Sequence, residues 1–323
     1  MFTTTTSARQ LRLGLRSIST TRMLKNKLPA LGDIVHTPEN SAGYKERLRA
    51  FRAKLEEQKK AQFAALHGKS YDDEPKAGIV KSILYGSEKG QREDAELEQS
   101  YSKVLARGKY VHAIEIHNVK PDKQQEYSDL VGNMYPDIAN DPNNSCHLVG
   151  SWKTEIGDPD TFIHIWEYKG YAGYHDTLNQ LQNSAKYRDY SKKLPQLLYA
   201  RRTDLMQEFS FWPTTSPRSL GGIFELRSYT LHPGNLLEWE THWRAGLAAR
   251  RNVMEGVGAW FTQVGALNMV HYLWQFQDLR DRQLAREHSW SEQGWSSTVH
   301  KTVPLIQKME SRILVPLPWS PVS

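Results

Sequence analysis

His164 and Trp166 lie two residues apart in the segment Thr161–Tyr168, which reads as a β-strand. Side chains two apart on a strand share a face. A second segment carries Tyr272 and Trp274 in the matching places, with His271 turned the other way. His164, Trp166 and Trp274 could line a cavity between two sheets, take up a flat apolar ligand, and present an imidazole to a haem iron. The same residues equally suit a core in which a hydrogen-bonded histidine packs among aromatic rings. His112 and His117 are five apart on one strand, so they face opposite sides. The chain carries no complete motif for other chemistry. Gly68-Lys69-Ser70 lacks the phosphate-loop glycine five residues earlier, where Phe63 stands. Gly256-Val257-Gly258 lacks a third glycine, and neither H-E-x-x-H nor G-x-S-x-G occurs. No catalytic set emerges. The single cysteine, Cys146, leaves no internal disulfide and no cysteine-based metal cage. The charged block Asp278–Glu287 reads as a solvated or interdomain salt-bridged face, and Met309–Arg312 could place an ion pair at a helix-to-strand junction.

The elements that must position these residues are written twice. Gly150, Trp152, Thr154, Gly157 and Trp166 recur without a gap, 108 residues later, as Gly258, Trp260, Thr262, Gly265 and Trp274. Glu115–Pro121 parallels Glu225–Pro233, and Lys193–Leu198 parallels Thr302–Gln307. A repeat of this length is a domain and not a solenoid element. Each copy reads β-α-β-β-α-β, the ferredoxin-like split unit. Such a unit has helices on one face of its antiparallel sheet and leaves the other face bare. Two units packed sheet on sheet bury both bare faces. The expected class is therefore α+β, with two tandem ferredoxin-like domains from an internal duplication, at 109–213 and 220–319. A helical and disordered N-terminal extension precedes them.

That extension carries the charge signal. The chain has 42 Lys+Arg and 36 Asp+Glu, and six of the basic residues, with no acid, fall in residues 1–30. The remainder is balanced, so no nucleic-acid footprint is indicated. Residues 1–25 have the Ser, Thr and Arg composition of a mitochondrial transit peptide. Residues 26–108 read as an extension with a charged helix at 44–67 and an acidic tether. The helix has a narrow stripe of Tyr44, Leu48, Phe51 and Leu55, suited to a partner surface or to a largely solvated helix. In the tether, acids at 93–98 precede Tyr101-Ser102-Lys103-Val104. An aromatic and an aliphatic residue at this spacing after acids form a pattern that docks by strand addition on ubiquitin-like autophagy modifiers. No apolar stretch approaches a membrane span.

The repeat residues are similar to those of the NipSnap family. The resemblance rests on His117–Pro121, Leu148–Trp152, Glu208–Trp212, Glu225–Gly234, Trp260–Gly265, Val270–Trp274, Asp278–Arg286 and Val303–Leu317. It covers roughly residues 109–318 and leaves the first hundred unmatched beyond a basic leader. It implies a dimeric α/β-barrel type of fold, mitochondrial localisation (matrix or matrix-facing inner membrane periphery) and a role in mitochondrial quality control. It transfers no catalytic residue, because the family has no agreed catalytic set. Three functions follow as expectations. One is a non-enzymatic protein acting through partners, with Tyr101 and Val104 as contacts for an autophagy modifier. A second is a barrel with no required cofactor that takes haem or another hydrophobic molecule at His164, Trp166 and Trp274. The third is a structural subunit of a mitochondrial assembly. Association into a homo-oligomer stays open.

Overall fold

The structure is a computed structural model that describes residues 28–34, 38–67 and 110–323. Residues 1–25, the acidic tether, Tyr101 and Val104 lie outside the described residues.

Each half contributes four strands. The first supplies β1 (Val111–Val119), β2 (Cys146–Ile156), β3 (Thr161–Tyr168) and β4 (Leu198–Glu208). The second supplies β5 (Ile223–Leu231), β6 (Glu255–Val264), β7 (Met269–Phe276) and β8 (Ile306–Pro316). They form one closed barrel in the order β1-β3-β2-β8-β5-β7-β6-β4. Within each half the order is that of the split unit. The bare faces do meet, as expected, but the sheets also join edge to edge. β2 pairs with β8 and β4 with β6, so no strand edge is left open.

The barrel interior is filled by both halves: Ile114, Trp152, Ile165, Leu226, Trp260 and Leu273 belong to one buried cluster. Eight strands leave a lumen that side chains can occupy completely. Trp152 and Trp260 are the largest of these, and the repeated Gly-x-Trp makes room for them. A Cβ on Gly150 would sit 2.2 Å from the Trp152 ring, and one on Gly258 would sit 2.3 Å from that of Trp260. Both glycines follow a β-bulge at the same point of the hairpin, between Leu148 and Gly150 and between Gly256 and Gly258.

The helices cover the outer face. In the first half these are α2 (Gln124–Gly132), α3 (Tyr135–Asn140), α4 (Gly170–Asn183) and α5 (Ala185–Lys193). The second half has α6 (Leu236–Arg251), α7 (Leu279–Ser291) and α8 (Trp295–Thr302). Each helical layer closes its own core, separate from the lumen.

The ladders correct the alignment of the first strand. Hairpins and last strands superpose at the 108-residue offset, since Ser151 faces His164 where Ala259 faces Tyr272. Across the first strand the offset is 112. His112 faces Met206 as Phe224 faces Leu314, and the bulge after Asn118 matches that after Thr230. Glu115 therefore corresponds to Arg227, and not to the identical Glu225.

The charged helix begins earlier than expected, as α1 (Pro38–His67). It lies on the barrel itself. Tyr44 is buried. Arg47 donates to the carbonyl of Leu220 at 2.9 Å, and Arg52 pairs with Glu255, which also holds Arg218. Phe51 stacks on Arg218. No helix among the described residues is long and apolar enough to cross a membrane.

Candidate functional site

The structure does not bring His164, Trp166 and Trp274 into one cavity between the sheets. All three point outward to the helices, and the lumen they were expected to line is packed. His164 and Trp166 sit in the first half's helical layer, while Trp274 sits in the second's. His164 is fully buried. Its Nδ1 is 2.8 Å from Ser151 Oγ and its Nε2 is 2.8 Å from the Tyr127 hydroxyl. Neither nitrogen is directed at open space. Tyr127 also meets His117 Nδ1 at 2.7 Å, so one phenol bridges two imidazoles. Burial, with Arg201 adding to it, pushes His117 down to about 4; burial, with His117 adding to it, holds His164 well below the usual histidine value. Beside this chain, Tyr135 donates to Glu115 at 2.6 Å. Burial raises Glu115 despite that bond. The first half thus holds a satisfied, mostly neutral polar network under its helices.

His112 faces the lumen, opposite to His117, as the strand alternation requires. It joins Glu167 at 3.1 Å near one end of the barrel, and Thr214 Oγ1 lies within 3.1 Å of both His112 and Trp260 Nε1. The Thr214 hydroxyl and amide both reach Glu208 at 2.9 Å. His112, Glu167 and Glu208 bring one donor atom each within 4.8 Å of one another, and Thr214 links His112 to Glu208.

The second half is built differently. Between its sheet and α6, α7 and α8 lies a cleft of about 150 Å³. Its walls are aromatic: Trp239, Trp243, Tyr272, Trp274, Trp290 and Trp295. Trp274 is thus a cavity residue, with different neighbours from those expected. Trp239 and Trp243 stack at 4.8 Å, while Trp290 stands half exposed at the rim. Four charges face this space: Glu225, Arg227, Arg250 and Arg286. Glu225 is compensated. It accepts from Arg227 at 2.9 Å, from Arg282 at 2.7 Å and from Ser311 at 2.7 Å. Burial works to raise it, but Arg282, Arg227 and Ser311 outweigh burial and hold it down to about 2. Arg250 is buried, with its guanidinium 3.9 Å from the Trp295 ring centroid. Burial, then the neighbouring Arg286 and Arg227, push it down to about 10. Arg286 is lowered by burial and by Arg227.

The sequence assigns Arg250 and Arg286 no binding role. Arg282 and Arg286 stand in a block that reads as a solvated or interdomain salt-bridged face, and Arg282 does pair with Glu225 at 2.7 Å. Their spacing of four on one helix was a usable signal, since residues at that distance share a face.

The NIPSNAP family model matches this chain at residues 114–213 and 224–321, one match per half. Protein NipSnap homolog 1 of Danio rerio is 41% identical over 213 residues, which cover 66% of this chain and 76% of that protein. Protein NipSnap homolog 2 of Homo sapiens is 38% identical over 228 residues, 70% of this chain and 80% of its own. Among solved structures, a Fusobacterium nucleatum protein whose monooxygenase assignment is itself provisional aligns with a TM-score of 0.50 at 12% identity. It covers 65% of this chain and 94% of its own. At that identity the likeness concerns the fold alone.

Proposed function

This chain belongs to the NIPSNAP family, and from that premise we propose that it is a small-molecule-binding barrel whose ligand occupies the second half's outer cleft. One observation carries the reading: the tryptophan-walled space of about 150 Å³ opens beside the half-exposed Trp290. An exposed tryptophan over an aromatic cleft is apolar surface that a ligand would cover. The cleft accommodates a molecule about the size of one aromatic ring, since a dry cavity of about 150 Å³ holds benzene. The test is native mass spectrometry of the protein from its own organelle, beside a Val299→Trp variant that fills the cleft from α8. A co-purifying small molecule that the variant loses is the expected result. The same ligand retained by Val299→Trp would place binding elsewhere and defeat the proposal.

A second reading is a partner-mediated role in mitochondrial quality control. It is favoured by the arginine-rich, acid-free first thirty residues and by Tyr101-Ser102-Lys103-Val104 after its acidic run. Replacing Tyr101 and Val104 with Ala should abolish capture by ubiquitin-like autophagy modifiers; unchanged capture removes the docking site. Deleting residues 1–25 should likewise abolish mitochondrial import.

A further inference from the structure

We infer that the second-half cleft selects a planar carboxylate on an aromatic body, with Arg250 and Arg286 receiving the negative group. The inference rests on the cleft being a ligand site and adds the charge and shape of the ligand.

The argument begins with charge balance. Glu225 is already held by Arg227, Arg282 and the Ser311 hydroxyl. Arg250 and Arg286 therefore face the cleft in excess. Among the described residues, neither has a carboxylate within ion-pair distance. Among the described residues, the one hydrogen bond from the Arg250 guanidinium goes to the Met254 sulfur at 3.5 Å, a weak acceptor. Arg250 is 8% exposed. A charge so buried is normally paired, because desolvating it alone is expensive. Stacking on Trp295 relieves part of that expense. It leaves the N–H donors of the guanidinium without a strong protein acceptor among the described residues.

The shape of the missing partner follows from what is present. The Trp295 ring centroid lies 3.9 Å from the guanidinium carbon, and the N–H donors of a guanidinium fan out from the edge of its plane. A flat acceptor with two oxygens matches that edge bidentately, as carboxylates match arginine. The indole walls contributed by Trp239, Trp243 and Trp274 set the rest of the ligand as flat and apolar. Three tryptophans and two uncompensated arginines in one small cleft thus describe a single-ring aromatic acid. The first half cannot take it, because there Tyr135 and Glu115 occupy the equivalent layer.

The full chain would be titrated with benzoate, with its neutral isostere benzamide and with phenyl phosphate, following tryptophan fluorescence and ligand saturation-transfer NMR. Benzoate should bind at least about tenfold more tightly than benzamide, the scale expected of a buried charge-assisted pair. Arg250→Gln and Arg286→Gln should each weaken benzoate far more than benzamide, bringing the two affinities together. Arg250→Lys should recover part of the preference. Equal binding of benzoate and benzamide would overturn the charge assignment and leave the cleft a ligand site. A preference for phenyl phosphate would overturn the carboxylate. If no probe bound at all, the cleft reading and this inference would fall together.

Discussion

The two halves of the barrel share a ladder and differ in what lies between sheet and helices. In the first half, Glu115 occupies the position of Arg227, His117 that of Tyr229 and His164 that of Tyr272. The first half also spends two short helices, α2 and α3, where the second has the single α6. Tyr127 from α2 and Tyr135 from α3 reach down to the strand histidines and to Glu115, and every ring nitrogen of His164 is engaged. The second half replaces this neutral network with arginines and stacked tryptophans around a cleft. A duplicated fold can keep one copy as packed support and let the other open toward a ligand, because the closed ladder ties both together whatever the outer layer does.

The sharpest way to break this comparison is to remove one polar group from each outer layer. Tyr127→Phe strands His117 Nδ1 and His164 Nε2 at once, both in buried surroundings. An unsatisfied buried group costs about 1–3 kcal/mol, so for two such groups a loss of about 2–6 kcal/mol is expected. Arg250→Met in the second half removes a buried charge that has no carboxylate partner. Without ligand, that variant should be as stable as the parent or more so. Urea unfolding at pH 7 measures both. If Arg250→Met lost as much stability as Tyr127→Phe, the arginine would be part of the fold's support, and the contrast between the halves would disappear.

The duplication and the strand order were legible in the sequence because glycine and tryptophan mark the hairpins at a fixed offset. The close packing of Trp152 on Gly150 and of Trp260 on Gly258 explains why those residues recur together. The face of His164 was not legible. Alternation says that His164 and Trp166 share a side, but β3 is apolar on both sides, so parity cannot tell lumen from helical layer. The first-strand register was misread for a related reason. Matching Glu115 to Glu225 by identity hides a four-residue change in offset that the different helices α2, α3 and α6 absorb. The cleft arginines were hidden by their own sequence context. Arg286, which lines the cleft, and Arg282, which pairs with Glu225 beside it, stand among charged residues, and only the docking of α7 turns them inward. The docking of Tyr44, Arg47 and Arg52 on the barrel was equally hidden, since a narrow stripe does not name its partner.

Acid titration gives a finer test, because the polar groups of the two outer layers should yield in different windows. His117 and His164 have folded pKa values below the unfolded 6.5, with His117 at about 4. Between those values the unfolded chain binds more protons, so stability falls as pH drops from about 6.5 to 4. Each such histidine contributes a slope of at most about 1.4 kcal/mol per pH unit. His271, buried in the lumen and held to about 3, adds to the same window from the second half. Glu225 is held at about 2, below its unfolded 4.5. Its contribution is present above 4.5 and is lost as pH falls through 2. His117→Gln should therefore flatten the stability curve between 6.5 and 4, whereas Glu225→Gln should flatten it only below 4.5. Unfolding midpoints across pH 2–7 decide the matter; identical curves for the two variants would count against the separate windows.

The smallest effect concerns what joins the halves. Arg312 on β8 pairs with Asp158 in the hairpin turn between β2 and β3 at 2.9 Å, and with Glu310 at 3.0 Å. Asp158 is largely exposed, so its attraction is screened by water and salt. Arg312→Ala should cost only about 0.2–1 kcal/mol, and less as ionic strength rises. The comparison predicts this modest value. The halves are held together by the β2–β8 and β4–β6 ladders and by the lumen cluster that both supply, which a surface ion pair can only trim. A loss above about 2 kcal/mol, well beyond the usual range for exposed pairs, would mean that the junction depends on this contact. The closed ladder would then no longer account for how two such different outer layers stay on one barrel.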